Sequence, residues 1–375
     1  MPEYPRDGPD GGALVTIGTL AVRTPAVLTT AFAAWDRWSM RHAYLAYLAR
    51  RLGLYVVSLW GAFTVTFMFF HMIPGNPIQS FIESLQQQEV YGVSADQEVI
   101  EHYKKLFGLE GNLFDQYVAY LYRVFVARDL GPALINFPTD VTLIIARALP
   151  WTIGLLGIAT ILAWTIGVAL GTLAGHLREG AAAQVLTNVA IALSHIPAYF
   201  VALILLFIFA YRMAVLPSSA AYQASIMPDL SVPFILSLVR HGTLPALSIV
   251  IVLACNELIV TRMLIVSTLG EDYLTLADAK GLRPTHILAH YALRNCYLPL
   301  VTAFGINLGR IISGNVLVER IFNYPGIGNL LVQAIAILDF NTIQGIIAML
   351  IFAVLTANLV IDLLLPVLDA RVKYW

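Results

Sequence analysis

The sequence predicts an all-α integral membrane protein built on six membrane-crossing helices, and three observations carry that prediction. Of the 375 residues, 59% are hydrophobic and only 12% charged, with a mean hydropathy of +0.77. Soluble globular domains carry about 25% charged residues. Apolar runs occur six times, at residues 52–73, 151–174, 185–211, 244–266, 298–318 and 343–368, each near the ~20 residues that cross a bilayer. The basic residues are unevenly spread: with both termini set in the cytoplasm, thirteen of the 22 Lys and Arg fall on that side, as the positive-inside bias requires. Even-numbered spans then return the C-terminus to the side of the N-terminus. A net charge of −1 and a pI of 6.7 leave no electrostatic footprint for nucleic acid.

Residues 1–49 read as an N-terminal extension and 50–375 as the membrane domain. Residues 1–12 are rich in Pro, Gly and Asp, a composition that favours disorder. Residues 13–34 end in Ala31-Phe32-Ala33-Ala34 but lack the basic start of a signal peptide, and Arg23-Thr24-Pro25 interrupts them. They read as a broken interfacial helix that leads into an amphipathic stretch, 35–51.

The first outer segment, 74–150, has helical patterning at 96–107 and 112–126 with several tyrosines. Two readings stand: a lid or docking surface for an external partner, or packing over the ends of the spans.

Chemistry for catalysis is sparse. None of the four lysines (Lys104, Lys105, Lys280, Lys373) sits in a Gly-rich phosphate loop, and no His-Glu-x-x-His pattern occurs. Ser194 and His195 are adjacent on the third run, where a regular helix sets them about 100° apart, too divergent to pair as nucleophile and base. The two cysteines, Cys255 and Cys296, imply neither a disulfide framework nor a metal site. The expectation is therefore no catalytic residue and no bound metal.

Charges inside the runs need partners, because an unpaired one at mid-bilayer costs roughly 2.5–3.5 kcal/mol on insertion scales. Glu257 lies in the fourth run, Arg310 in the fifth and Asp362 in the sixth. Glu257 and Arg310 either pair across their helices or line a translocation route. Ser194, Pro197, Asn307, Ser313 and Asn315 join them as candidate pathway residues, since proline and small polar residues suit a path that opens and closes. The same residues also suit tight helix packing.

Between the fourth and fifth runs lies a hydrophilic stretch, 271–282, that reads as a slim helix ending at a glycine. Asp272, Tyr273, Thr275, Ala277, Asp278, Ala279, Lys280, Gly281 and Leu282 are its candidate docking residues. Two small alanines keep it thin, two charges give it a polar face, and Gly281 can end it in the left-handed conformation. An ordinary glycine-capped loop is the alternative.

Those residues carry a resemblance. The run Asp272-Tyr273-Leu274-Thr275-Leu276-Ala277-Asp278-Ala279-Lys280-Gly281-Leu282, with Leu293-Arg294-Asn295 and Pro299 downstream, is similar to the cytoplasmic motif of ABC importer permeases, at the spacing of the dipeptide/oligopeptide/nickel permease family. Ile73-Pro74-Gly75-Asn76-Pro77, Asp129-Leu130-Gly131, Leu149-Pro150, Leu244-Pro245-Ala246-Leu247, Glu319, Ile321-Phe322, Pro325-Gly326-Ile327-Gly328, Asp339 and Leu368-Asp369-Ala370-Arg371 resemble its other markers. Asn76 replaces the usual Asp, Ala133 the usual Ser and Ala370 the usual Pro.

The resemblance implies a six-transmembrane-helix type I ABC importer permease with an extra N-terminal segment, forming half of a translocation path. It implies as partners a second homologous permease, two cytoplasmic ATPases that hold ATP and Mg²⁺, an external solute-binding protein and the lipid bilayer of a prokaryotic plasma membrane. Relatives carry di- and oligopeptides, oligosaccharides or nickel chelates. Peptide is the expected substrate, because the runs hold no Met/His cluster suited to nickel. A secondary transporter is the reading outside this class.

Overall fold

The computed structural model describes residues 43–72, 111–229, 231–311 and 315–368. The chain divides into two compact units, Arg51–Lys373 and the remainder, and the account below concerns the first. The expectations for residues 1–34, for the helix at 96–107 and for the marker at 73–77 lie outside the described residues.

Twelve helices are named here: α1 (Ala43–Met72), α2 (Leu113–Tyr122), α3 (Val141–His176), α4 (Ala181–Ser194), α5 (Ala198–Leu205), α6 (Val232–Thr268), α7 (Asp272–Ala279), α8 (Pro284–Ile287), α9 (Leu293–Arg310), α10 (Val316–Ile321), α11 (Ile327–Ala336) and α12 (Phe340–Leu368). Wider π-helical turns continue α2 over Arg123–Ala127 and α5 over Leu206–Arg212, and join α8 to α9 over Leu288–Ala292. Among the described residues, four helices are long and apolar enough to cross a membrane: Tyr47–Met72, Val141–His176, Val232–Thr268 and Phe340–Leu363. A bent pair, Ala181–Ser194 with Ala198–Arg212, has the length and apolarity of a fifth only when its two helices are taken together, as a broken span or a re-entrant loop.

Several expected boundaries are corrected. The stretch 35–51 is not a separate interfacial helix at its end, because residues 43–51 are the first turns of α1. The outer segment does not reach residue 150: α3 begins at Val141 and carries Pro150 inside it. Pro150 is the tenth residue of α3, so its missing N–H leaves the Ala146 carbonyl without its regular helical donor while the helix continues through it. The third run is not straight. It turns by 98° at Ser194–Pro197, where Pro197 caps α5 in an extended conformation. The fifth run is not one helix either. α9 ends at Arg310, and Asn315 starts α10 by accepting the Val318 N–H at 3.4 Å.

The packing is organised by α3 and α6, each about 55 Å long at the α-helical rise. Their backbones approach closely at Gly167, Gly171 and Gly175, spaced four apart on one face of α3. A Cβ on Gly171 would lie 2.6 Å from the Leu258 carbonyl oxygen and 2.7 Å from Thr261 Cβ. At Gly175 the neighbour is Ile265, 2.7 Å away. Membrane helices associate by such contact of small residues, because lipid supplies no hydrophobic drive between them. Ala159, Ala163, Ala202, Leu244, Ala254 and Phe322 extend the core to α5, α6 and the end of α10.

At the end of the bundle away from α7, two buried carboxylates fasten connections far apart in sequence. Glu319 has no exposure. It accepts from Thr152 Oγ1 of α3 at 3.0 Å and from the Gly328 and Asn329 N–H groups at 2.7 and 3.3 Å. It thereby caps α11, where a helix start favours negative charge. Asp339, equally buried, caps α12 by accepting from the Thr342 N–H at 3.1 Å and its hydroxyl at 2.7 Å. It also accepts the Leu134 and Ile135 N–H groups, at 2.7 and 3.2 Å. Beside α1, Asp362 of α12 pairs with Arg51 at 2.6 Å, which answers the need of that span charge for a partner.

Two outcomes follow from this packing. Gly171→Val forces α3 and α6 apart and lowers stability by about 1–3 kcal/mol. Gly154→Ala, where a Cβ meets nothing within 4 Å, is neutral or stabilising; thermal unfolding in detergent separates the two, and equal effects would contradict the seam. Burial raises the Glu319 carboxyl above its ordinary value of 4.5, with its three hydrogen bonds opposing. A raised acid stabilises the fold below its unfolded pKa, and that contribution is lost as pH climbs through the folded one. Glu319→Gln therefore gains on the native protein as pH rises from 4.5; a gain on falling pH would contradict this.

Candidate functional site

The site is built where α6 ends. Backbone bonds from Gly270 to Ser267 and from Glu271 to Thr268 turn the chain, and Glu271 enters α7 in an extended conformation. Apolar residues at 274 and 277, three apart, put one face of α7 against the bundle. Leu274 and Ala277 are each 3% exposed and pack with Ile265, Ile287, Ala292, Cys296 and Leu300. Ala277 is thus not on the docking face, as its place in the motif suggested. It is small because α7 lies tight on the ends of α6 and α9.

The other candidates face outward: Asp272, Tyr273, Thr275, Asp278, Ala279 and Lys280 are exposed, and so is Leu276. Leu276 was not among the candidates; the helical period that buries 274 and 277 is the signal that exposes it.

The stop is a Schellman motif. The Leu282 N–H reaches the Ala277 carbonyl at 3.4 Å and the Gly281 N–H reaches that of Asp278 at 2.8 Å. Gly281 has φ +75°, with nothing within 4 Å of a Cβ placed there. Its requirement is conformational and not a matter of space. Leu282 packs back into the cluster of Leu274 and Ala277, which closes the motif.

A second tie holds the helix from the side. Asn295 Nδ2 donates to the Tyr273 hydroxyl at 2.7 Å, joining the two halves of the hydrophilic stretch. Thr268 Oγ1 and Cys296 Sγ lie 3.2 Å apart beneath it. Beside α7 opens a cleft of about 540 Å³, with the α3–α4 turn (His176 to Gly180) as one wall and Thr275, Asp278 and Pro284 on the other.

The pathway candidates do not form one group. Glu257 and Asn307 meet across α6 and α9, the amide donating to Glu257 Oε1 at 2.8 Å. The second oxygen, Glu257 Oε2, is buried without a hydrogen-bond partner among the described residues. Asn307 is thus one partner of Glu257; the expected pairing with Arg310 rests on a side chain outside the described residues, as does Ser313. Asn315 caps α10 instead of joining Glu257.

Ser194 and His195 are closer than helical geometry suggested. The helix ends at Ser194, and the hydroxyl lies 3.2 Å from His195 Nδ1. The same nitrogen sits 2.7 Å from the Ile191 carbonyl, to which it must donate, and the hydroxyl donates to that carbonyl at 2.9 Å. A nitrogen already carrying its proton cannot take one from serine. The pair terminates α4 and activates no nucleophile.

Comparison with known proteins fits this geometry. Residues 167–374 match the family described as binding-protein-dependent transport system inner membrane component. A glutathione transport system permease protein of Escherichia coli O6:H1 is 28% identical over 330 residues, covering 88% of this chain and 99% of that protein. A protein of Brucella ovis, assigned provisionally to the peptide permeases by its name, is 30% identical over 329 residues, with the same coverage of each. The matched region takes in α6, α7 and α9, so α7 lies within the stretch that the family model covers. The chain belongs to the binding-protein-dependent inner-membrane permeases, and is a multi-pass ABC importer permease subunit of type I fold from the dipeptide/oligopeptide group.

Proposed function

We propose that this subunit forms half of the translocation path for di- and oligopeptides and is driven through α7. ATPases on the cytoplasmic side would grip the exposed face of Asp272, Tyr273, Thr275, Leu276, Asp278, Ala279 and Lys280. ATP and Mg²⁺ would be held by those partners, a second homologous permease would complete the path, and an external binding protein would deliver the substrate. Both termini of this chain would lie in the cytoplasm, on the side of α7.

The observation that carries the reading is the double anchoring of a short exposed helix. Its buried face shares Ile265 with the α3–α6 seam, and its end is locked by Gly281. A partner that moves α7 therefore moves α6, and α3 with it, whereas a loosely tethered loop would absorb the motion. Peptide is favoured as cargo because the named relatives handle glutathione, itself a short peptide, or bear a peptide permease name. Oligosaccharides and nickel chelates are the alternatives within the same architecture.

Gly281→Val tests the drive. A β-branched residue in the left-handed conformation costs about 1–2 kcal/mol, and the Schellman stop relaxes while the membrane core is untouched. In proteoliposomes with the partner ATPases and binding protein, hydrolysis should persist and substrate uptake per ATP should fall. A cysteine at Asp278 should still cross-link to the ATPase in the native background. Normal uptake by Gly281→Val, or cross-links of Asp278 only to external proteins, would contradict the proposal.

A further inference from the structure

The helix expected within 112–126 forms, but not over the ends of the spans. It starts at a capping box in which Asn112 accepts from the Phe114 and Asp115 N–H groups, and then runs down the side of α1. Gln116 meets His71 at 2.9 Å. One residue on, the Tyr117 hydroxyl meets Thr64 Oγ1 at 2.6 Å, and its ring lies edge-on to Phe67 at 5.3 Å. Tyr120 packs on Phe67 and Phe63, at 5.7 and 6.2 Å. Phe125, in the π-helical turn, packs edge-on to Phe63 at 4.9 Å. Each step along α2 thus contacts a residue farther from the Met72 end of α1. From His71 to Phe63 the descent is about 12 Å at the α-helical rise, alongside a helix that is itself a candidate span.

The side of α2 away from α1 is an apolar stripe. Phe114, Val118, Tyr122 and Val126 are 71%, 49%, 60% and 64% exposed. Spacing of four places them on one helical face. Exposed Asp115 lies on that face only at the capped start, beside the Met72 end of α1, and beyond it the next charge, Arg123, is drawn aside to Asp129 at 3.5 Å. The stripe continues a surface of the same kind on α1, where Val65, Met68 and Phe69 are 60–67% exposed.

We infer that the α2 stripe is covered by lipid acyl chains, so that this part of the outer segment is inserted in the leaflet at the Met72 end of α1. That leaflet is the outer one in the proposed orientation. A helix can enter hydrocarbon because its backbone groups bond internally. The break back towards α3 is also satisfied: the Asp129 N–H donates to the Arg123 carbonyl at 3.1 Å as Arg128 takes φ +54°. A lid washed by water would expose four large apolar side chains in a row, which soluble surfaces avoid. The chemistry of the partner follows from the stripe: no charge beyond Asp115 at its capped start, and continuity with the flank of a membrane span. The inference uses only the spans and does not rest on the cargo or on the ATPases.

Spin-label collision measurements on the assembled importer in lipid nanodiscs test it. Nitroxides are placed on cysteines at Val118, Tyr122 and Val126, with Met68 as the α1 reference and Glu179 as the aqueous one, after Cys255→Ala and Cys296→Ala. The stripe should match Met68: readily relaxed by oxygen, and several-fold less by a water-soluble nickel chelate than Glu179. Relaxation by the chelate as at Glu179 would mean a water-facing lid. Protection from both reagents would mean a protein partner, such as the second permease. Either result overturns the inference. A charge scan needs no cysteine changes: Val118→Asp and Tyr122→Lys should each lower thermal stability in nanodiscs, and tolerance of both would likewise overturn it.

Discussion

The proposed drive through α7 depends on the contact between α3 and α6. Gly167, Gly171 and Gly175 let the two backbones touch, with Cβ-sized gaps absent along about two helical turns. Lipid offers no reward for pressing apolar side chains together, so the energy of the seam comes from dispersion across a close, continuous surface. Ile265, wholly buried at its lower end, belongs equally to the packing of α7. One residue therefore connects the seam to α7. In the proposed mechanism a push on α7 would reach two closely packed helices, each about 55 Å long.

The far end of the same bundle adds buried, hydrogen-bonded carboxylates to its close packing. Glu319 and Asp339 are fully buried carboxylates, and each accepts several N–H or O–H groups while capping a helix. Burying an acid is expensive unless it is hydrogen-bonded, and both meet that condition. Glu319 ties α11 to α3 through Thr152, whose hydroxyl also accepts the Ile327 N–H at 2.8 Å. Motion carried up α3 therefore meets a fastened connection at its other end. Glu257 differs, since among the described residues one of its oxygens is buried without a partner at the α6–α9 contact.

Much of this was legible in the sequence, and the exceptions have physical causes. Hydropathy located the apolar runs but not the helix ends, because α3 and α6 continue past the residues where hydropathy falls. Pro150 and Pro245 looked like boundaries and are interior residues. The apolar run 298–318 hid a helix start at Asn315, since a cap is one side chain and leaves average hydropathy unchanged. Opposite charge drew attention to Arg310 for Glu257 and passed over Asn307, a neutral amide one helical turn earlier that donates to it. Thr152 and Glu319 stand 167 residues apart, and no local pattern announces such a pair. The glycine spacing 167–171–175 was visible and, set beside the docking motif, would have revealed the seam. Gly281 as a left-handed stop was read correctly from the motif alone, because few residues accept that conformation.

The central claim is that α7 and the α3–α6 pair move together. Pulsed electron-spin distance measurements between labels at Leu276 on α7 and Leu173 on α3, both exposed, test it in the assembled importer with and without ATP. Rigid coupling predicts one distance distribution that nucleotide does not shift. A nucleotide-dependent shift wider than that distribution, with the complex intact, would mean that α7 swings on its own and that the seam carries no motion.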